Sequence, residues 1–123
     1  MLKTFLRSKI HRATVTSADL DYDGSISICR ELCRAAELLE FEQVDVYDIT
    51  NGARFTTYVI YGEPGQIQVN GAAANLVTPG DAVIVAAYAM LEPAEIAVHR
   101  AIVVQVDAQN RITNQRVAPV SKP

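Results

Sequence analysis

The chain has 123 residues, of which 50% are hydrophobic and 20% are charged, and its formal net charge is −3 at pH 7. This composition is typical of a globular protein, excludes a disordered chain, and argues against a general affinity for nucleic acid. We expect one domain over residues 1–123, because this length suits a single hydrophobic core. The long apolar run at 82–91 is too short to span a bilayer, so no membrane association is expected.

The first part of the chain predicts strands and then a helix. Extended segments are expected at 2–7 and 9–17, with Lys9 and His11 on one strand face and Ile10 on the other. DYDGS at 21–25 is a turn signal, and RELCRAAELLEF at 30–41 predicts an amphipathic helix of about three turns. The apolar stripe of this helix consists of Leu32, Ala35, Ala36 and Leu39.

The first twelve residues are basic, and the two cysteines of the chain lie four residues apart at 29 and 33. Lys3, Arg7, Lys9 and Arg12 all precede the first acid; a transit peptide can look similar, but we interpret this segment as a strand with a cationic patch. Cysteines at 29 and 33 are spaced to pack on one helix face rather than to form a disulfide. No metal-ligand spacing is present, and a reducing cytoplasm is the expected location.

The rest of the chain alternates strand patterns with turn signals. Strand patterns lie at 44–49, 54–61, 66–70, 82–91 and 101–106, with turns at 50–52, 62–65 and 78–81. GAAAN at 71–75 predicts a turn into a short helix, and the tail at 117–123 a weak strand or a loose end. Many short strands indicate a small barrel or sandwich, and local patterning does not distinguish a Greek-key barrel from a more interlocked one.

Gly24-Ser25 has a chemical interpretation beside the structural one. The serine Oγ can attack the Gly24 carbonyl, which converts the peptide bond into an ester by an N-to-O acyl shift. Removal of the Ser25 α-proton then expels the Gly24 carboxylate by β-elimination. The resulting dehydroalanine takes up water and loses ammonia, leaving a pyruvoyl group. A Gly-Ser pair alone is more often an ordinary turn.

Three separated motifs give this pair more weight. They are SKIHRATVTSADLDYDGS at 8–25, ITNGARFTTYVI at 49–60 and VNGAAAN at 69–75, with GDAVIVAAY following at 80–88. Together and in this order they resemble the aspartate 1-decarboxylases, over about residues 1–90 and less closely to the end. The resemblance implies decarboxylation of L-aspartate to β-alanine and CO₂ for pantothenate and coenzyme A synthesis.

The resemblance also implies an architecture and an assembly. The expected fold is mainly β, a six-stranded double-psi β-barrel with one short amphipathic helix after the cleavage site. Members are homotetramers with active sites between subunits, and the precursor would cleave itself into residues 1–24 and 25–123. Whether a maturation factor assists the cleavage is left open.

Residue roles follow from the same resemblance. Ser25 would become the pyruvoyl group, which forms a Schiff base with the substrate amine and accepts electrons from decarboxylation, so neither pyridoxal phosphate nor a metal is expected. Tyr58 matches the proton donor, and a phenol is protonated at neutral pH. Substrate contacts are implied for Lys9, Arg54, Thr57, Gly71, Ala72 and Ala73. Weaker candidates are His11, Tyr22, Tyr47 and Asn70.

The strand period supports only part of this set. Arg54 and Tyr58 are four residues apart and share one face of a regular strand, whereas Thr57 points to the other face. A bulge, strand twist or subunit boundary would be needed to bring Thr57 to the same site. A substrate with two carboxylates requires local cations, which Arg54 and Lys9 would supply.

Two alternatives to this function stay open. An autoprocessed hydrolase would use the free amine and hydroxyl of a new N-terminal serine at position 25. A non-enzymatic small β-barrel that binds a ligand or partner would keep an uncut chain, since one fold supports many functions.

Overall fold

The computed structural model describes residues 1–123 and is dominated by strands. The strands are β1 (Lys3–Thr14), β2 (Ser17–Asp19), β3 (Ser25–Cys29), β4 (Gln43–Asp48), β5 (Arg54–Gly62), β6 (Ile67–Asn70), β7 (Ala82–Leu91), β8 (Arg100–Val106) and β9 (Ile112–Pro119). The helices are α1 (Arg30–Ala36), α2 (Pro93–Ile96) and a 3₁₀ helix, Gly71–Leu76. None of them is both long enough and apolar enough to cross a membrane.

All nine strands form one sheet in the order β2-β6-β3-β5-β4-β7-β1-β8-β9. β1 and β2 follow each other in the chain, yet they lie at opposite ends of the first seven strands. The sheet therefore curls until Val15 and Thr16 connect its two ends, and the Thr16 N–H donates to the Ile67 carbonyl at 2.8 Å. The expected fold class is confirmed: the fold is mainly β and consistent with a small double-psi β-barrel, although the strand ladders do not close the sheet.

The curled sheet encloses one cluster of 20 buried residues. Alternation along the strands directs one set of side chains into this cluster, and Ile10, Ile26, Val46, Val59 and Val85 are each at most 1% exposed. Complete burial of such a side chain stabilises the fold by roughly 1.5–3 kcal/mol. The opposite face carries polar residues on several strands, such as Lys9 and His11 on β1 and Ser25 and Ser27 on β3, and the candidate site lies on this face.

Helix α1 is shorter than the sequence pattern predicts. It ends at Ala36 because Glu37 adopts the left-handed conformation at φ 54°, and the Glu37 N–H donates to the Arg34 carbonyl. Leu32 and Ala36 are fully buried as predicted, but Leu39 lies beyond the helix end and is 69% exposed. The prediction of about three turns, with Leu39 in the apolar stripe, is therefore wrong.

Strand β3 and helix α2 were not predicted, and β9 begins earlier than the expected tail strand. Every residue of β3 is buried, so this strand lacks the alternation that identifies a half-buried one.

Cys29 is the last residue of β3 and only Cys33 belongs to α1, so the prediction that both lie on one helix face is wrong. Both thiols are free and buried, and burial raises the pKa of Cys33 to about 12, as expected of packing residues.

Candidate active site

Ser25 is the first residue of β3 and is only 1% exposed. Its hydroxyl donates to the carbonyl of Asp23 at 2.9 Å, and its Oγ accepts a hydrogen bond from Nδ2 of Asn70 at 3.1 Å. The antiparallel register of β3 and β6 places Asn70 directly opposite Ser25. The hydroxyl is therefore held from two sides beside the Gly24-Ser25 peptide bond.

Gly71 packs directly on the backbone that precedes Ser25. Its φ is +76°, and a Cβ added there would lie 2.7 Å from Gly24 Cα, 2.9 Å from Gly24 N and 3.3 Å from the Tyr22 carbonyl oxygen. Both the left-handed conformation and the close approach favour glycine at this position. The turn at 22–24 is thus held against the start of the 3₁₀ helix.

Two further residues of the predicted substrate segment lie on this 3₁₀ helix. Ala72 is exposed and Ala73 is half-buried. Asn70 precedes the helix, but its side chain makes no capping hydrogen bond and is directed at β3 instead. The segment 70–73 therefore meets the cleavage pair through Asn70 and Gly71, with small side chains on the solvent side.

Tyr58 lies on β5, which pairs with β3 in parallel. The register sets Ile26 of β3 opposite Val59 of β5, and both side chains point into the core. Ser25 and Tyr58 each precede one of these residues, so their side chains point to the opposite face of the two paired strands. Tyr58 is 37% exposed, and its ring centroid lies 6.2 Å from that of Phe41. The structure therefore brings Tyr58 and Ser25 to the same face of the sheet.

A shallow cavity of about 520 Å³ lies beside this tyrosine. Its walls are formed by Phe41, Gln43, Thr56, Thr57 and Tyr58. Alternation along β5 is regular, with Thr56 and Tyr58 exposed and Thr57 half-buried between them. Thr57 and Tyr58 therefore contribute to one cavity although they point to opposite faces, and no bulge in β5 is required.

Arg54 is held on an aromatic ring. Its guanidinium carbon lies 4.7 Å from the centre of the Tyr47 ring, on the paired strand β4. A hydrogen bond between the Tyr47 and Tyr88 hydroxyls at 2.7 Å, followed by burial, raises the pKa of Tyr47 to about 12. Arg54 makes no ion pair within the chain, so its guanidinium is positioned and free to bind a carboxylate.

The basic candidates of β1 lie elsewhere in the sheet. Lys9 pairs with Ala86 of β7 and Val103 of β8, and strands β7 and β4 separate β1 from β5. At about 4.8 Å per strand, Lys9 and Arg54 lie some three strand spacings apart along the sheet. Lys9 and Arg54 therefore do not lie on neighbouring strands of one protomer.

His11 and Tyr22 complete the predicted set. The ring nitrogen Nδ1 of His11 is buried without a hydrogen-bond partner. Burial, followed by the charges of Lys9 and Arg12, lowers the pKa of His11. Tyr22 lies in the turn before the cleavage pair and is exposed. Only Tyr22 of these two is close in the chain to Ser25.

Two residues that contact the site were not predicted. Ser27 and Gln68 both hydrogen-bond to the Asn70 side chain. Gln68 and Asn70 are two residues apart on β6, so their side chains lie on the same face of that strand. That alternation is visible in QIQVN, but their proximity to Ser25 depends on strand register. No cluster of three or more His, Cys, Asp or Glu side chains could hold a metal ion.

The chain was compared with known proteins. Residues 1–113 match the model of the family described as aspartate decarboxylase. The chain is 53% identical over 112 residues to the aspartate 1-decarboxylase of Hydrogenobaculum sp., which covers 91% of the chain and 90% of that protein. It is 57% identical over 114 residues to the aspartate 1-decarboxylase of Corynebacterium efficiens, with 91% and 84% covered.

A third relative matches over a larger share of the chain. The chain is 50% identical over 118 residues to the aspartate 1-decarboxylase of Methylobacillus flagellatus, with 94% of each chain covered. The match thus spans the Gly-Ser pair, β5 and the Asn70–Gly71 segment alike. The chain belongs to the aspartate decarboxylase family.

Proposed function

We propose that this chain catalyses the decarboxylation of L-aspartate to β-alanine and CO₂, in supply of pantothenate and coenzyme A, with a pyruvoyl group formed from Ser25. Relatives that are 50–57% identical carry the name aspartate 1-decarboxylase. The observation that carries the proposal is the buried Ser25 hydroxyl, held between Asp23 and Asn70 beside a glycine peptide bond.

Self-cleavage between Gly24 and Ser25 yields chains of residues 1–24 and 25–123. The contact of Gly71 with the Gly24 backbone supports this step, because it holds the peptide bond while the hydroxyl is oriented. Loss of ammonia leaves a ketone at position 25, whose oxygen replaces the Ser25 backbone nitrogen. Such a ketone supplies the electron sink that amino-acid decarboxylation requires.

The remaining residues bind substrate and move protons. Arg54, which has no carboxylate partner in the chain, binds a substrate carboxylate bidentately. Tyr58, on the same face as Ser25, gives a proton to the carbon that loses CO₂. Thr57 lines the cavity beside Tyr58, and Gly71 packs against the backbone that precedes position 25.

An assembly explains the position of Lys9. In one protomer Lys9 and Arg54 are separated by two strands, so a site that uses both draws them from different copies. A homotetramer with sites between subunits meets this requirement. Aromatic side chains near the cavity, including Phe41, Tyr58 and Tyr88, are exposed in the single chain and suit such an interface.

Product formation tests the proposal. Purified protein is incubated with L-aspartate, and β-alanine is quantified by NMR or chromatography. We expect stoichiometric β-alanine and CO₂ from the wild type and neither from Ser25→Ala, which should also stay uncut. Ser25→Ala at wild-type activity, or a wild type without product, would refute the proposed function.

A further inference from the structure

Gln68 occupies the centre of a polar patch that ends at Ser25. On β6 it lies opposite Ser17 of β2 on one side and Ser27 of β3 on the other. One row further along, Asn70 lies opposite Ser25. Because residues 68 and 70 are two apart on one strand, their side chains share the face that carries Ser25.

These side chains form a continuous series of hydrogen bonds. Ser17 Oγ donates to Gln68 Oε1 at 2.6 Å, and Gln68 Nε2 donates to Asn70 Oδ1 at 2.7 Å. Asn70 Nδ2 then donates to Ser25 Oγ and to Ser27 Oγ, each at 3.1 Å. Asn70 is fully buried, so it has no access to water that could replace a lost partner.

The direction of each bond follows from one end of the series. The Asp23 carbonyl cannot donate, so the Ser25 hydroxyl donates to it and Oγ accepts from Asn70. Asn70 therefore presents its amide nitrogen to Ser25 and its amide oxygen to residue 68. Only a donor at position 68 satisfies that oxygen, and the glutamine amide supplies one.

We propose that Gln68, oriented by Ser17, is a positioning residue that keeps the Asn70 amide nitrogen directed at Oγ of Ser25. That oxygen is the nucleophile of the acyl shift, and it leaves with the Gly24 carboxylate when the chain is cut. One fixed donor therefore holds the nucleophile beside the Gly24 carbonyl in the uncut chain. The inference rests on the proposed self-cleavage at Gly24-Ser25.

Three neutral or nearly isosteric variants test this role. Gln68→Met removes the donor to Asn70. Gln68→Glu replaces it with a carboxylate that only accepts and so attracts the Asn70 nitrogen away from Ser25. Gln66→Met is the matched control, because Gln66 also donates to Gln68 Oε1, at 3.2 Å, but does not contact Asn70. Self-cleavage is followed by intact mass from the precursor, and Tm is measured for each variant.

We expect Gln68→Met to slow self-cleavage about tenfold, since misdirection of one group at a reacting centre has effects of this size or larger. Gln68→Glu should be slower still, and Gln66→Met should match the wild type.

A purely structural role predicts a different pattern. Cleavage rates that follow Tm across all three variants, or Gln68 variants that behave like Gln66→Met, would overturn the role of Gln68 and leave the decarboxylase proposal intact. A wild-type chain that stays uncut would overturn the proposed function, and this inference with it.

Discussion

Replacement of Gly71 by alanine tests whether the close contact at the cleavage turn matters beyond ordinary backbone strain. The left-handed φ of +76° penalises any side chain, and the new Cβ would also lie 2.7 Å from Gly24 Cα. Gly52 is the matched control, because its φ is +81° and a Cβ there would meet nothing within 4 Å. Comparing Gly71→Ala with Gly52→Ala separates the cost of the left-handed backbone conformation from the cost of the collision with Gly24.

The two costs can be estimated separately. A non-glycine residue in the left-handed region loses roughly 1–2 kcal/mol, which is the whole cost expected for Gly52→Ala. Collision with closely packed backbone adds about 1–3 kcal/mol, so Gly71→Ala should lose about 2–5 kcal/mol. The collision displaces Gly24 from the Ser25 hydroxyl, so self-cleavage should also slow by about tenfold or more.

The two effects are measured on different backgrounds. Unfolding by denaturant is measured in the Ser25→Ala background at one protein concentration, so that every chain is uncut. Self-cleavage of each glycine variant is followed by intact mass with Ser25 present. Equal losses of stability for Gly71→Ala and Gly52→Ala, together with equal cleavage rates, would refute the argument that Gly71 positions Gly24.

Further variants test the other parts of the account. Arg54→Ala should raise KM for L-aspartate about tenfold or more, since a charge-assisted contact is lost, and unchanged kinetics would remove Arg54 from the site. Tyr58→Phe should cleave normally but lower kcat by about 10²-fold, as expected for loss of a general acid; full turnover would exclude Tyr58 as the proton donor. Burial, followed by a hydrogen bond to Asp81, raises the pKa of Asp48 above its ordinary value of 3.8. Protonated Asp48 therefore stabilises the folded state at low pH, and this stabilisation declines as the pH rises from 3.8 through the raised pKa. Asp48→Asn keeps a donor toward Asp81 at every pH, so denaturant titrations above pH 3.8 should show a flatter pH dependence than the wild type. An unchanged profile in that range would contradict the role given to the Asp48 proton.

Much of the fold follows from local patterns because most strands have one buried and one exposed face. Alternation located β4, β-branched and aromatic residues located β5, and a continuous apolar run located β7, with turn residues marking the strand ends. β3 escaped prediction because both of its faces are buried. The end of α1 escaped because Glu37, and not a glycine, adopts the left-handed conformation that terminates the helix.

The candidate site, too, was only partly predictable from the sequence. The motifs predicted Ser25, Tyr58 and Gly71 as site residues; strand register sets Ser25 beside Tyr58, and Gly71 packs against Gly24. Gln68 could not be recognised as a partner of Asn70, because its role depends on β6 lying between β2 and β3, which no local pattern reports. The separation of Lys9 from Arg54 is likewise a property of strand order.

The chemical state of residue 25 in the purified protein tests the account most directly. Intact mass spectrometry should show two chains, of residues 1–24 and 25–123, whose summed mass equals the precursor plus water minus ammonia. Borohydride should add hydrogen to the larger chain alone, as expected of a ketone at its start. A larger chain that begins with free serine would indicate an N-terminal-serine hydrolase, and one uncut, active polypeptide would contradict the account altogether.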